Sequence, residues 1–313
     1  MKIAIIGSGG VGGYFGAKLV QAGNEVTFLA RGEHLKAFKN NGLTVKSILG
    51  DFHVDAFSAT DKITEIDKPD LLLISVKAWQ IKEIRDDLKK IIPPESFILP
   101  LQNGVLASEE LSETIDKSFI LGGLCRIISK IESPGVINHF GVKPTIVFGE
   151  LDKSTSNRIQ TLKKVFEKAE IDSKITENIE SELWKKFIAI CVSGLLIITK
   201  TTYGELIELK ETRKMMIDLL TEIFILSQKI GVQIESDFID KTVTFIDTFP
   251  YDSTSSLTRD VWECRPSEIE YQNGTVVKLA EKYGVDTPIN KFVYNCILPM
   301  ELKARESTKK RSS

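Results

Sequence analysis

A doubly wound parallel α/β sheet followed by an all-helical domain is the architecture this sequence predicts. Three observations predict it. A short apolar run, Lys2 to Ile6, leads directly into a glycine-rich turn, Gly7-Ser8-Gly9-Gly10-Val11-Gly12. Apolar runs of strand length then alternate with helical stretches through residue 178. Beyond residue 178 strand-like runs give way to helical periodicity.

The elements follow in order. Lys2 to Ile6 is apolar without a break from Ile3 on, as expected of a parallel strand covered on both faces. Tyr14 to Ala22 reads as a helix that stops at Gly23, a residue suited to the left-handed position after a helix. Glu25 to Ala30 is the second strand. Further strands are expected at Leu43–Ser47, Leu71–Val76, Phe97–Leu101, Phe119–Leu124 and Thr145–Phe148, with helices at Trp79–Ile91 and Ser108–Thr114. Helices are then expected at Ser154–Ala169, Ile179–Ile198, Thr212–Ile230, Phe238–Phe245, Ser267–Tyr283 and Asn290–Arg305. Residues 1–178 are expected to form the sheet domain and 179–305 the helical domain. The polar, basic stretch 306–313 is expected to be disordered.

Composition excludes several function classes. A chain of 313 residues exceeds what one core usually serves. The 41 Lys and Arg against 43 Asp and Glu leave a net charge of −2, which disfavours nucleic-acid binding. No apolar run reaches the ~20 residues of a membrane span; Ile188 to Ile198 is interrupted by Ser193 and Gly194. The four cysteines form no CxxC pair and the three histidines stand apart, so neither a metal site nor a disulfide framework is expected. With no secretory cleavage pattern after the apolar start, a cytoplasmic location is expected.

The glycine turn follows a predicted strand and opens a predicted helix, the context of a Rossmann-type dinucleotide site. Gly7 permits the tight turn, Gly9 lets a pyrophosphate approach the backbone, and Gly12 lets helix and strand pack closely. Free N–H groups at the helix start would face the phosphates. Gly7, Ser8, Gly9, Gly10, Val11 and Gly12 are therefore candidate cofactor contacts. The end of the second strand reads Phe28-Leu29-Ala30-Arg31-Gly32, with no acid before Glu33. An arginine there suits a ribose 2′-phosphate, so NADP (NADPH) is expected rather than NAD.

Four more stretches carry a resemblance. They are Ser75-Val76-Lys77-Ala78-Trp79-Gln80, Leu101-Gln102-Asn103-Gly104-Val105, Glu182-Leu183-Trp184-Lys185-Lys186, and Ser255 to Gly274. With the glycine turn, their order and spacing resemble the ketopantoate reductases (2-dehydropantoate 2-reductases) over nearly the whole chain. The resemblance implies that Lys186 is the catalytic lysine and Glu268 the active-site glutamate. It implies substrate contacts from Ser256, Asn103 and Lys77. It also implies cofactor contacts from Arg31, Lys77, Gln80 and Asn103. The implied activity is NADPH-dependent reduction of 2-dehydropantoate to pantoate, in pantothenate and coenzyme A biosynthesis. A helical second domain in such reductases is compatible with a homodimer. The chain departs from the pattern where family members carry asparagines four and eight residues after the lysine. Ile190 and Gly194 stand there. That departure leaves open a different, more apolar 2-keto acid as substrate. A non-catalytic NADP-binding protein is a third reading, opposed by the presence of Lys186, Glu268, Asn103 and Ser256.

The residues themselves add chemistry. On a helical wheel Ile179, Leu183, Phe187, Ile190, Gly194 and Ile197 share one arc. Lys185 then points into solvent, while Lys186 lies about 60° from Leu183, at the edge of that arc. A lysine so placed could bury its stem, present its ammonium to a ketone and act as general acid. Ser267 and Glu270 read as a capping box, which leaves Glu268 at the first helical position with an uncommitted carboxylate. Ser193, Thr199 and Thr202 are candidates to replace the missing amides. His34, His53 and His139 are expected at the surface or in turns.

Overall fold

The structure, a computed structural model, describes residues 1–312. The chain divides into two compact units, one of residues 1–102 and 106–180, the other of residues 103–105 and 181 onward.

The first unit begins with β1 (Lys2–Ile6), α1 (Gly10–Gln21), β2 (Glu25–Leu29), α2 (Gly32–Asn41), β3 (Leu43–Ser47), β4 (Phe52–Val54) and β5 (Ser58–Thr60). It continues through β6 (Leu71–Ile74), α3 (Ile81–Ile91), β7 (Phe97–Pro100) and α4 (Ala107–Ser112). It ends with β8 (Leu121–Ser133), β9 (Val136–Glu150), α5 (Asn157–Lys168) and β10 (Asp172–Ile175). The expected parallel sheet is present, in the order β5-β2-β1-β6-β7 with every pairing parallel. Side chains alternate across its central strand. Ile3 and Ile5 join Phe15, Leu19 and Phe28 on one face. Ala4 and Ile6 join Leu72, Ile74, Ile81, Ile84 and Leu88 on the other. Burial on both faces is why β1 is apolar without a break from Ile3 to Ile6.

A second, mixed sheet in the same unit runs β10-β9-β3-β4, with β8 antiparallel on β9. The single parallel sheet expected from the sequence is thus joined by a second one. Leu43–Ser47 is a strand but pairs with β9 and β4, not with the first sheet. The stretches read as Phe119–Leu124 and Thr145–Phe148 are parts of a hairpin of 13- and 15-residue strands.

The second unit consists of α6 (Ile179–Ile190), which begins at its boundary, then α7 (Ser193–Thr199), α8 (Tyr203–Glu208), α9 (Lys210–Ile230), α10 (Phe238–Ile246), α11 (Ser256–Trp262), α12 (Asn273–Tyr283) and α13 (Pro288–Ser312). Phe187, Leu195, Leu220, Ile223, Val276 and Val293 lie at its core. Among the described residues no strand follows Ile175, and no helix is long and apolar enough to cross a membrane. The helix expected over Ile179–Ile198 is broken between Ile190 and Ser193. The helix expected from Ser267 is instead a short 3-10 turn, Ile269–Tyr271, followed by α12. Residues 306–312, expected to be disordered, continue α13; Ser313 lies outside the described residues.

Candidate active site

The glycine turn has the geometry a dinucleotide cradle requires. Gly7 sits at φ +101°, and a Cβ there would lie 2.7 Å from the Val76 nitrogen. A Cβ at Gly12 would lie 2.0 Å from the Gly7 oxygen, so α1 can approach β1 only with glycine there. Around a Cβ built at Gly9, by contrast, no heavy atom lies within 4 Å. Gly9 is also the residue before α1, and no side chain caps the helix. Uncapped N–H groups and open space at Gly9 fit a diphosphate. Ser8 is buried and donates its hydroxyl to the Leu29 oxygen at 3.1 Å, which ties the turn to the end of β2. Arg31 follows β2 directly, exposed at the start of α2.

His34 is more than a surface residue. Its Nδ1 accepts the Gly135 N–H at 3.1 Å, so its Nε2 carries the proton and donates to the Ser8 oxygen at 3.0 Å. It clamps the glycine turn to the tip of the β8–β9 hairpin. His139 is buried, with ring contacts to Ser47 Oγ at 2.7 Å and the Val142 oxygen at 2.9 Å. His53, on β4, meets Thr44 Oγ1 at 3.0 Å.

Lys77 and Gln80 bracket a 3-10 turn after β6. The Lys77 N–H donates to Gln80 Oε1 at 3.1 Å, so one end of the Gln80 amide closes its own turn. Lys77 is half-buried.

In the second unit two distant segments meet. Asn103 Nδ2 donates to Glu268 Oε2 at 3.4 Å. Gly104, at φ +98°, packs so that a Cβ would lie 2.8 Å from the Tyr271 oxygen. Glu268 is 6% exposed and precedes the Ile269–Tyr271 turn. This corrects the capping-box reading, which left its carboxylate uncommitted at an α-helix start. Ser267 does not cap Glu270. Its N–H and hydroxyl both donate to Glu301 Oε2 of α13, at 2.9 and 2.6 Å. Glu270 instead accepts from the Tyr294 hydroxyl at 2.6 Å and from Lys278 at 2.7 Å. Burial pushes the Glu270 carboxyl up, but these two bonds outweigh it and hold it below its ordinary range. The buried Glu301 carboxylate on Ser267 and the half-buried Glu270 carboxylate on Tyr294 and Lys278 thus fix the turn on either side of Glu268.

The wheel for α6 is also corrected. Trp184, Phe187 and Ile188 form the face buried in the unit's core, not Leu183 and Ile190. Lys186 therefore points about 150° away from that face, beside Leu183 and Ile190. It is half-buried. Lys185 is not free in solvent; it pairs with Glu235 at 2.9 Å and Glu182 at 3.5 Å.

The two departures from the expected asparagines differ in kind. Ile190 is half-buried on the Lys186 face. Gly194 is buried in α7, where a Cβ would lie 2.4 Å from Val293 Cγ1 and 2.7 Å from Asn273 Oδ1. The fully buried Asn273 donates to the Cys191 oxygen at 3.2 Å and to Asn290 Oδ1 at 3.0 Å. That bond satisfies a carbonyl at the break between α6 and α7. Sequence reading passed over Asn273 because its neighbours, not its type, give it this task. Of the proposed replacements, Thr199 bonds the Leu195 oxygen at 2.7 Å and Thr202 caps α8, so both serve the backbone. Ser193 is buried and hydrogen-bonds Tyr203, whose phenol burial pushes up to about 12. Ser256 is the first residue of α11 and exposed, with Ser255 as its cap. Among the described residues no cluster of His, Cys, Asp and Glu is arranged to hold a metal ion.

Residues 3–153 match the family model of ketopantoate reductase PanE/ApbA, and residues 178–301 match that of its C-terminal part. The chain is 30% identical over 297 residues to an uncharacterized oxidoreductase, YkpB, of Bacillus subtilis (strain 168), covering 94% of this chain and 97% of the relative. It is 30% identical over 301 residues to a 2-dehydropantoate 2-reductase of Nostoc sp. (strain PCC 7120), covering 94% and 93%. The crystal structure of a PanE/ApbA family ketopantoate reductase from Ralstonia eutropha JMP134 superposes with TM-score 0.90 at 26% identity, covering 97% of this chain and 100% of that one. A ternary structure of D-mandelate dehydrogenase with NADH and anilino(oxo)acetate shares the fold, with TM-score 0.88 at 23% identity, over 97% and 99% of the two chains. Matched in both parts and along almost its whole length, the chain belongs to the ketopantoate reductase family of oxidoreductases.

Proposed function

We propose that the protein reduces 2-dehydropantoate to pantoate with NADPH, a step that serves pantothenate and coenzyme A synthesis. The observation that carries the reading is the buried Glu268 carboxylate held by the Asn103 amide at 3.4 Å. A carboxylate kept in place under cover is suited to accept a substrate hydroxyl, at a cost that a bland surface helix start would not incur. The glycine turn Gly7 to Gly12 would hold the diphosphate and Arg31 the 2′-phosphate, with Lys77 and Gln80 on the cofactor side. Bound NADPH supplies the hydride that the carbonyl carbon receives. Lys186 donates a proton to the ketone oxygen, so the carbonyl becomes a hydroxyl. Glu268, Asn103 and Ser256 orient the acid.

A second reading, a more apolar 2-keto acid, is favoured by Ile190 on the Lys186 face. The experiment compares kcat/KM for ketopantoate and for 2-ketoisovalerate, which lacks the hydroxymethyl group, using NADPH and NADH. A preference for ketopantoate of about tenfold or more supports the first reading, because one unmatched buried polar group costs about 1–3 kcal/mol. Equal or reversed preference supports the second. Arg31→Ala tests the cofactor. It should weaken NADPH about 10- to 100-fold and leave NADH nearly unchanged, as the loss of a charge-assisted bond predicts. Equal losses would remove the NADP assignment.

A further inference from the structure

Arg259, on α11, is a half-buried guanidinium that makes no ion pair among the described residues. Its nearest sequence neighbour of opposite sign, Asp260, is committed to Arg265, whose Nε and Nη2 lie 3.1 and 2.8 Å from Asp260 Oδ1. The hydrogen bond that Arg259 makes is a long one, from Nη1 to the Thr254 oxygen at 3.4 Å. Burial pulls its pKa below the ordinary arginine value; the charge of Asp260 opposes this and that of Arg265 adds to it. Protein charges at this depth are ordinarily paired.

Position adds to charge. Arg259 is three residues after Ser256, so the two share a face of α11. Long helical side chains lean towards the N-terminus. The bond to the Thr254 oxygen holds the guanidinium towards that end of α11, where the exposed Ser256 begins the helix. A planar fork of donors on the same helix face as a hydroxyl matches a carboxylate, which accepts two parallel N–H bonds from arginine. We propose that Arg259 binds the carboxylate of the 2-keto acid, with Ser256 alongside it. The inference rests on the 2-keto acid reading above and adds a cation for the substrate carboxylate.

The test compares 2-ketoisovalerate with its methyl ester, on protein loaded with NADPH, for wild type, Arg259→Met and Arg259→Lys. Methionine keeps an unbranched apolar stem, and melting temperatures confirm that the variants fold. Arg259→Met should raise KM for the acid about tenfold or more, while KM for the ester changes about threefold or less. Arg259→Lys should recover part of the loss, and NADPH affinity should stay the same in all three. Equal effects on acid and ester, or no effect on either, overturn the assignment while leaving the 2-keto acid reading standing. Calorimetric titration of the NADPH complex with ketopantoate and with 2-ketoisovalerate covers the case without turnover. Binding that depends on Arg259 supports the assignment even then. If neither ketopantoate nor 2-ketoisovalerate binds the wild type, the 2-keto acid reading falls and the assignment falls with it.

Discussion

The Asn103 amide donates to Glu268 Oε2 at 3.4 Å, although the two residues are 165 positions apart in the chain. The bond depends on backbone next to it. Gly104 holds φ +98° and leaves no room for a Cβ against the Tyr271 oxygen, 2.8 Å away. The loop carrying Asn103 and the turn carrying Glu268 are thus locked together by one amide and one missing side chain.

Gly104→Ala should therefore loosen the Asn103–Glu268 pair. Backbone strain and the contact together should cost about 1–3 kcal/mol of stability, with a loss of kcat/KM beyond it. Gly231→Ala is the control. Gly231 ends α9 at φ +99° with nothing within 4 Å of a Cβ, so it carries the strain without the contact. Its cost should be about 1 kcal/mol, with activity unchanged. Thermal melts and initial rates of both variants check this. Equal activity losses would mean that the loop contact has no bearing on the reaction.

The two adjacent lysines of α6 should separate in kinetics. Lys186→Ala should lower kcat by about 10²- to 10⁴-fold if its ammonium supplies the proton. Lys185→Ala breaks pairs to Glu235 and Glu182 that are partly open to water. It should cost about 1 kcal/mol of stability or less and spare kcat. Single-turnover measurement of NADPH oxidation distinguishes them, and similar rates for the two variants would refute the assignment of Lys186.

His34 gives a pH dependence whose sign follows from its tautomer. Nδ1 accepts the Gly135 N–H, so a second proton would have to displace that bond. Burial lowers its pKa from the ordinary 6.5, with the Ser8 bond opposing. A lowered histidine pKa contributes stability that is present above pH 6.5 and is lost as pH falls through the folded-state value. The wild type should lose more melting temperature on going from about pH 7.5 to about pH 5.5 than His34→Gln does, because glutamine does not titrate there. Parallel pH slopes for the two proteins would show that the clamp does not titrate.

Much of this was legible in the sequence, and the parts that were not have physical reasons. The strand-glycine-helix start reads correctly because Gly7 and Gly12 are demanded by backbone contacts and Lys2–Ile6 by burial on two faces. The β8–β9 hairpin does not read, because beyond Cys125 the residues of β8 are largely exposed and polar, as in Lys130, Glu132 and Ser133. A ribbon with little apolar alternation leaves no periodic signal. Helix α6 is misphased on the wheel because Leu183 and Ile190 are apolar without facing the unit's own core. The Ser267 turn misleads because its cap, Glu301, comes from 34 residues away.

The same misphasing bears on the missing asparagines, and it yields the most discriminating test. Ile190 shares a face with Lys186, four residues earlier, and is half-buried. An asparagine there can point its amide where the lysine points its ammonium, without entering the core. Gly194 has no such freedom. Any side chain there runs into Val293 Cγ1 at 2.4 Å and Asn273 Oδ1 at 2.7 Å. Asn273 in turn bonds the Cys191 oxygen at the break that separates α6 from α7. Gly194→Asn should thus destabilise the protein by about 1–3 kcal/mol through overpacking. Ile190→Asn should leave the melting temperature within a few degrees and shift specificity towards the substrate with a hydroxymethyl group. One added hydrogen bond predicts about a 2- to 10-fold gain in the ratio of kcat/KM for ketopantoate over 2-ketoisovalerate. A gain with Gly194→Asn and none with Ile190→Asn would reverse the placement of the two positions relative to the substrate.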